Sequence, residues 1–195
     1  MSDHPVTNWD VILPEKNDII LSGESVSLRL LRHEDANEVY LSWLNDSEVT
    51  KGLDTITKPY TIEMLTEYVN AAVADKFGYM FVIILHETNT PIGTARVHNI
   101  NMKSATCNLG MMIGDKKQWG KGLGKKVYKL LIGFAFNHLN IRRIWEAAHA
   151  DNLVSLAMCE GLGFKREGIL REHILTNRGP VDKILLGLLK KEWIP

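Results

Sequence analysis

The chain has 195 residues, of which 45% are hydrophobic, and its 23 basic and 23 acidic side chains cancel to a formal net charge of zero. That length suits one domain, or one domain with an appendage, and is enough to bury a core. A neutral balance excludes the basic excess of a general nucleic-acid binder, and the longest fully apolar run, Tyr79 to Leu85, is far too short to cross a bilayer.

The start of the chain carries Asp3, His4, Pro5 and Asp10 and no apolar run, so no secretory leader is expected. Residues 1–24 are the least patterned part and read as an arm with one extra strand, placed over a domain that spans residues 25–195. In that domain Val26, Leu28 and Leu30 alternate with Ser27 and Arg29, which predicts a half-buried strand. Asp35-Ala-Asn-Glu38 resembles a capping box that opens a helix, with Val39, Tyr40, Trp43 and Leu44 on one face. Thr61 is the expected cap of a second helix, with Ile62, Leu65, Val69 and Ala72 at helical spacing. Strands are expected at Tyr79 to His86, Ile92 to Ile100 and Thr106 to Ile113. A glycine-rich, charged loop, Gly114 to Gly124, then leads into a long helix. Leu123, Val127, Leu130, Leu131, Phe134 and His138 mark its apolar face. Arg143 to Ala148 reads as a strand, Asn152 as the cap of a short helix, and two closing strands run from about Phe164 to Leu175 and Val181 to Leu189. Helices interleaved with strands predict an α/β or α+β domain on a single sheet.

The segment Trp119-Gly-Lys-Gly-Leu-Gly124, between a strand and a helix, carries the chemistry. Glycines there permit positive φ and close approach of a ligand. The first N–H groups of a helix and its dipole suit a pyrophosphate. Lys121, Lys125 and Lys126 add positive charge. A phosphate-bearing cofactor is therefore expected. The loop is not a Walker A motif, because Gly124 is followed by Lys125-Lys126 and not by Lys-Ser/Thr. It also fits the dinucleotide fingerprint poorly, since Lys125 stands where the last glycine belongs.

Together with Asn152-x-x-Ser155-x-x-Met-Cys159-Glu-Gly-Leu-Gly163-Phe164-x-x-Glu167-Gly168 further on, this loop resembles the GCN5-related N-acetyltransferase (GNAT) superfamily. The tryptophan at 119 is similar to the branch that holds ribosomal-protein N-terminal acetyltransferases and amino-sugar acetyltransferases. The resemblance runs from about Val26 to Trp193 and implies a mixed, mostly antiparallel, twisted sheet of about seven strands flanked by about four helices. It implies acetyl-coenzyme A (acetyl-CoA) as cosubstrate and no metal. Met112, Ile113 and Gly114 would pair with pantetheine through the backbone. Trp119, Gly120, Lys121, Gly122, Leu123, Gly124 and Lys125 would hold the pyrophosphate, and Asn152 and Ser155 would face the cofactor arm. Position 159, commonly the tyrosine that protonates the departing thiolate, is Cys159 here.

Acetyl transfer needs a neutral amine, and an alkylamine of pKa about 10.4 is neutral only to about one part in 10³ at pH 7. A base is therefore useful. His98, on the strand before the splayed one, is the candidate, with Glu146 and His149 as further bets. Ser155 and Cys159 are the candidate donors to the cofactor sulfur. The expected reaction is direct attack in a ternary complex. The acceptor is a small-molecule or peptide amine. Tyr40 to Val49 resembles the first helix of acetyltransferases acting on amino sugars, which favours a small amine such as a nucleotide-linked amino sugar. A protein N-terminal α-amine of the ribosomal type, and a non-catalytic acyl-CoA sensor, are the alternatives. Two cysteines, Cys107 and Cys159, form no disulfide framework. The chain reads as cytoplasmic, with neither nucleic acid nor membrane as a partner, and as a candidate homodimer.

Overall fold

A computed structural model describes residues 19–52, 59–176 and 179–194. The arm's first eighteen residues lie outside this set. The described strands are β1 (Ile20–Ser22), β2 (Val26–Leu30), β3 (Tyr79–Leu85), β4 (Thr90–Asn101), β5 (Thr106–Ile113), β6 (Arg143–His149), β7 (Lys165–Thr176) and β8 (Gly179–Leu189). The helices are α1 (Glu38–Leu44), α2 (Ser47–Thr50), α3 (Ile62–Ala74), α4 (Leu123–Gly133) and α5 (Leu153–Glu160). All eight strands form one sheet in the order β1-β2-β3-β4-β5-β6-β8-β7. Every neighbouring pair is antiparallel except β5 and β6.

The alternation of a pleated strand sends successive side chains to opposite faces. On β3, Phe81 and Ile83 join the main core, while Val82 between them joins a second cluster. The main core is closed by α4 and α5 through Val127, Leu131, Leu156 and Cys159. The second cluster packs Tyr40, Trp43 and Leu44 of α1 and Leu65 and Val69 of α3 against Met112 of β5.

The strand count is eight where about seven were expected, because Ile20–Ser22 of the arm pairs antiparallel with β2. The fifth helix is the short α2, whose N-terminus is held by Asp46 accepting from the N–H groups of Glu48 and Val49. The cap of α1 is Asn37 and not Asp35: the Asn37 carbonyl accepts from Val39 N and Tyr40 N. Asp35 is engaged elsewhere, taking a bidentate pair from Arg29 at 2.8 and 2.6 Å. Starting two residues later rotates the apolar face, and Val39 is left 55% exposed. Beyond α4 the helix widens into a π turn over Phe134–His138. The wider turn brings Phe134, Ala135 and Phe136 all into the core and leaves His138 at the surface, stacked on the Phe134 ring.

Candidate active site

The site begins where β5 and β6 part. Their parallel pairing lasts only through Thr106↔Arg143 and Cys107↔Ile144. At the next residues side chains replace the ladder: Asn108 Nδ2 donates to the Trp145 carbonyl at 2.7 Å, and Leu109 N–H donates to Glu146 Oε1 at 2.6 Å. A carboxyl between two backbones is a wedge, and from there the strands diverge.

Alternation decides which backbone groups face the gap. Leu109 N–H points to β6, whereas Gly114 N–H donates to Ile92 O at the end of β4. Between 93 and 98 on β4 the register with β5 is unbroken. Residues 109, 111 and 113 therefore turn their amides and carbonyls into the gap, and 110, 112 and 114 turn theirs to β4. The Ile113 carbonyl already accepts from Trp119 Nε1 at 2.9 Å. Met111 N–H, Met111 C=O and Ile113 N–H form the open edge. This corrects the expected run of Met112, Ile113 and Gly114. Met112 is buried in the second cluster and pairs with β4. Gly114 is a packing glycine, because a Cβ there would lie 2.1–2.6 Å from Trp43 ring atoms.

The loop after β5 is fastened at its start. Asp115 accepts from Lys117 N at 3.0 Å, and Lys116 Nζ reaches Asp46 at 2.6 Å and Glu48 at 2.7 Å, which ties the loop to α2. Lys116 is thereby committed to carboxylates. Gly120 and Gly122 have φ of +75° and +72°, and a Cβ on either would meet nothing within 4 Å. Their requirement is conformational, and the space beside them is open. Gly122 is the N-cap of α4 and no side chain caps that helix. The first-turn N–H groups, which have no acceptor inside a helix, are left for a ligand. Gly124 serves proximity: a Cβ there would lie 3.0 Å from Met111 Cε, so the helix start rides over the open edge. Lys121 binds Gln118 Oε1 at 2.9 Å, and Lys125 Nζ lies near Gly161 at the end of α5. Lys126 turns away to Ser25 Oγ at 2.8 Å and leaves the loop with fewer cations than its sequence suggested. Leu123 is buried, and Trp119 is 44% exposed beside the loop.

Asn152 is the N-cap of α5, accepting from Ser155 N at 3.2 Å. One turn apart on that helix, the Ser155 hydroxyl hydrogen-bonds the Cys159 thiol. Burial pushes the Cys159 thiol up to about 12, so it stays protonated. A nucleophilic role is excluded by that protonation. As an acid it is a weak partner for a thiolate of pKa about 8.5.

His98 lies on β4 beside the Leu109 backbone. Burial, with help from Arg96, lowers its pKa to about 4. It is a neutral imidazole with little appetite for a proton. Glu146 is the opposite case: burial raises its carboxyl to about 8, with the Leu109 N–H and Arg96 acting the other way. His149 is also buried. On the α1 side of the gap the Tyr40 hydroxyl bonds Thr94 and Tyr68 and is held protonated, above all by burial. Among the described residues no group of three or more His, Cys, Asp or Glu side chains is arranged to hold a metal ion, and no helix is long and apolar enough to cross a membrane.

Residues 25–165 match the acetyltransferase (GNAT) domain family. The N-acetyltransferase p20 of Bacillus licheniformis is 30% identical over 181 residues, which cover 89% of this chain and 97% of that protein. The aminoglycoside N(6')-acetyltransferase type 1 of Klebsiella pneumoniae is 24% identical over 170 residues, 82% of this chain and 81% of that protein. Among solved structures, the spermidine N-acetyltransferase of Vibrio cholerae, determined with CoA and spermine, superposes with a TM-score of 0.79 over 87% of this chain and 98% of its own. Its identity is 21%, so that likeness is one of fold. With a parted β5–β6 pair, an uncapped helix behind a glycine loop, and a family match over most of its length, the chain belongs to the GNAT acetyltransferase family, acyltransferases that use acetyl-CoA.

Proposed function

We propose that the chain moves an acetyl group from acetyl-CoA to the primary amine of a small acceptor, such as a nucleotide-linked amino sugar, by direct attack in a ternary complex. The observation that carries this reading is the open edge of Met111 and Ile113 next to the uncapped start of α4. The pyrophosphate rests on the N–H groups of Gly122 to Lys125, with Lys121 and Lys125 alongside. Pantetheine pairs with Met111 and Ile113 in the gap. A backbone N–H of that edge donates to the thioester oxygen as charge builds on it, an effect worth roughly 10²–10³ in rate.

Glu146 suits the task of base better than His98, because a carboxyl near 8 accepts a proton at neutral pH more readily than an imidazole near 4. Its burial at the head of the gap calls for a water between it and the amine. Ser155, hydrogen-bonded to Cys159, stands on the helix that faces the cofactor arm and donates to the departing sulfur. That thiolate leaves readily enough for a hydrogen bond to replace a tyrosine. The small-amine reading is supported by the Tyr40–Val49 resemblance and by two similar proteins that are named for aminoglycoside and spermidine acetylation.

The test is thermal unfolding with acetyl-CoA, free CoA and NAD, followed by an amine panel. A ligand at 100 times its Kd adds about 2.7 kcal/mol, which is roughly 5–10 °C for a domain of this size. Stabilisation by both CoA forms and not by NAD is expected, with acetylation of a nucleotide-linked amino sugar ahead of peptide N-termini. No shift at saturating CoA overturns the cofactor reading, and preference for a ribosomal-protein N-terminal peptide overturns the acceptor.

A further inference from the structure

The side chains of Thr94, Arg96 and His98 leave β4 on the α1 and α3 face, across from Met112, Gly110 and Asn108 of β5. This is the face of the gap opposite α4 and α5, where an acceptor approaches. Arg96 pairs in register with Gly110, and its arm lies directly over that glycine. A Cβ at Gly110 would stand 2.8 Å from Arg96 Nε, 3.1 Å from Cγ and 3.5 Å from Cδ. Only glycine lets the arginine lie flat across β5 toward the gap.

The charge of Arg96 is felt by Tyr40, His98, Tyr128 and Glu146, four groups from four elements gathered at the head of the gap. The guanidinium is nevertheless uncommitted. Arg29, Arg143 and Arg166 are each held by a carboxylate, from Asp35, Glu167 and Glu160. Among the described residues no hydrogen bond or ion pair engages Arg96. The floor around it offers no competing fixed charge: His98 is neutral at pH 7, and burial disfavours the charged form of Glu146. A planar, permanently charged fork on such a floor matches a carboxylate or a phosphate in two-point contact. It is ill suited to a polycation, whose ammonium groups would meet an unscreened like charge.

We propose that Arg96 binds an anionic group on the acceptor, so that the amine acetylated here also carries a carboxylate or a phosphate. This rests on the acetyl-transfer reading above and narrows its substrate class. The test measures kcat/KM for matched pairs: glucosamine 6-phosphate against glucosamine for the phosphate, and L-methionine against L-methioninamide for the carboxylate, with spermidine as the polycation. A charge-assisted contact favours the anionic member of one pair by roughly 10- to 100-fold. Arg96→Gln brings that ratio toward one and Arg96→Lys keeps part of it, while thermal stabilisation by CoA shows that each variant is folded. Equal or better turnover of the neutral member in both pairs, spermidine ahead of all four, no turnover of any, or a ratio that survives Arg96→Gln overturns the assignment. If CoA stabilises the protein, only the Arg96 assignment has failed; if it does not, the acetyl-transfer reading has failed as well.

Discussion

Replacing Glu146 by glutamine tests the wedge at the head of the gap. The carboxyl ionises at about 8 in the folded chain and at its ordinary value of 4.5 when unfolded. Between those values the folded state holds a proton that the unfolded state has released. Stability therefore falls as pH rises, by about 1.4 kcal/mol per pH unit, and the protonated carboxyl's contribution, full below 4.5, is gone above about 8. Glu146→Gln keeps an oxygen that can accept from Leu109 N–H and cannot ionise. Between pH 5 and pH 7 the variant gains about 3 kcal/mol on the wild type, which corresponds to roughly 5–10 °C in Tm. The assay is thermal or urea unfolding of both proteins at pH 5, 6 and 7 at constant ionic strength; other titrating groups cancel in the difference. Parallel curves would refute the reasoning, because they would mean that the carboxylate stays charged in the fold. The same substitution removes the proposed base, so the slope of acetyl transfer between pH 6 and pH 8 should flatten with it.

His98 gives the opposite limb: its folded pKa of about 4 lies below the ordinary 6.5, so stability is lost as pH falls through that window. His98→Gln should flatten the acid limb, as read from urea midpoints at pH 7 and pH 4.5. Gly122→Ala meets no atoms but must hold φ at +72°, which should cost about 1–2 kcal/mol in a urea titration and weaken stabilisation by CoA. Trp119→Phe frees the Ile113 carbonyl at a cost of about 1 kcal/mol, and should raise the KM for acetyl-CoA more than it lowers kcat. Cys107 and Cys159 are buried with thiols pushed up to about 12. A thiol-reactive disulfide reagent at pH 8 should label neither in the folded protein and both in guanidinium; rapid labelling of Cys159 in the folded protein would revive a covalent route.

What was legible in the sequence was whatever depends on neighbours along the chain. The strand Thr106 to Ile113 appears with the bounds its apolar run predicted. The glycine loop leads into α4 at Leu123, and Asn152 caps α5. What was not legible depends on partners across space. Whether Met111 or Met112 faces the gap is fixed by the register of β5 on β4, a property of two strands that neither sequence states alone. Asp35 looked like a cap until Arg29 took its carboxylate. Asp46 was a visible cap signal, but α2 is four residues long and too short to show a period. Lys126 adds its charge to the loop on paper and binds Ser25 in space. The pKa of Glu146 is set by burial between two backbones, and no spacing rule predicts a wedge.

That wedge explains how a sheet can keep two parallel strands apart without a ligand between them. Each abandoned ladder bond forfeits about 1 kcal/mol, and a buried group left unpaired loses more. Asn108 and Glu146 take the first two positions beyond the last pair, and Trp119 takes the carbonyl at the far end. No buried side-chain nitrogen or oxygen among the described residues is left without a partner. Only the middle of the edge, at Met111 and the Ile113 amide, stays open, where solvent reaches until a thioester arm replaces it. The donors that meet charge in the transition state are therefore held in place by side chains that are not themselves consumed, displaced or reoriented when the cosubstrate enters, which is what an electrostatically preorganised site requires.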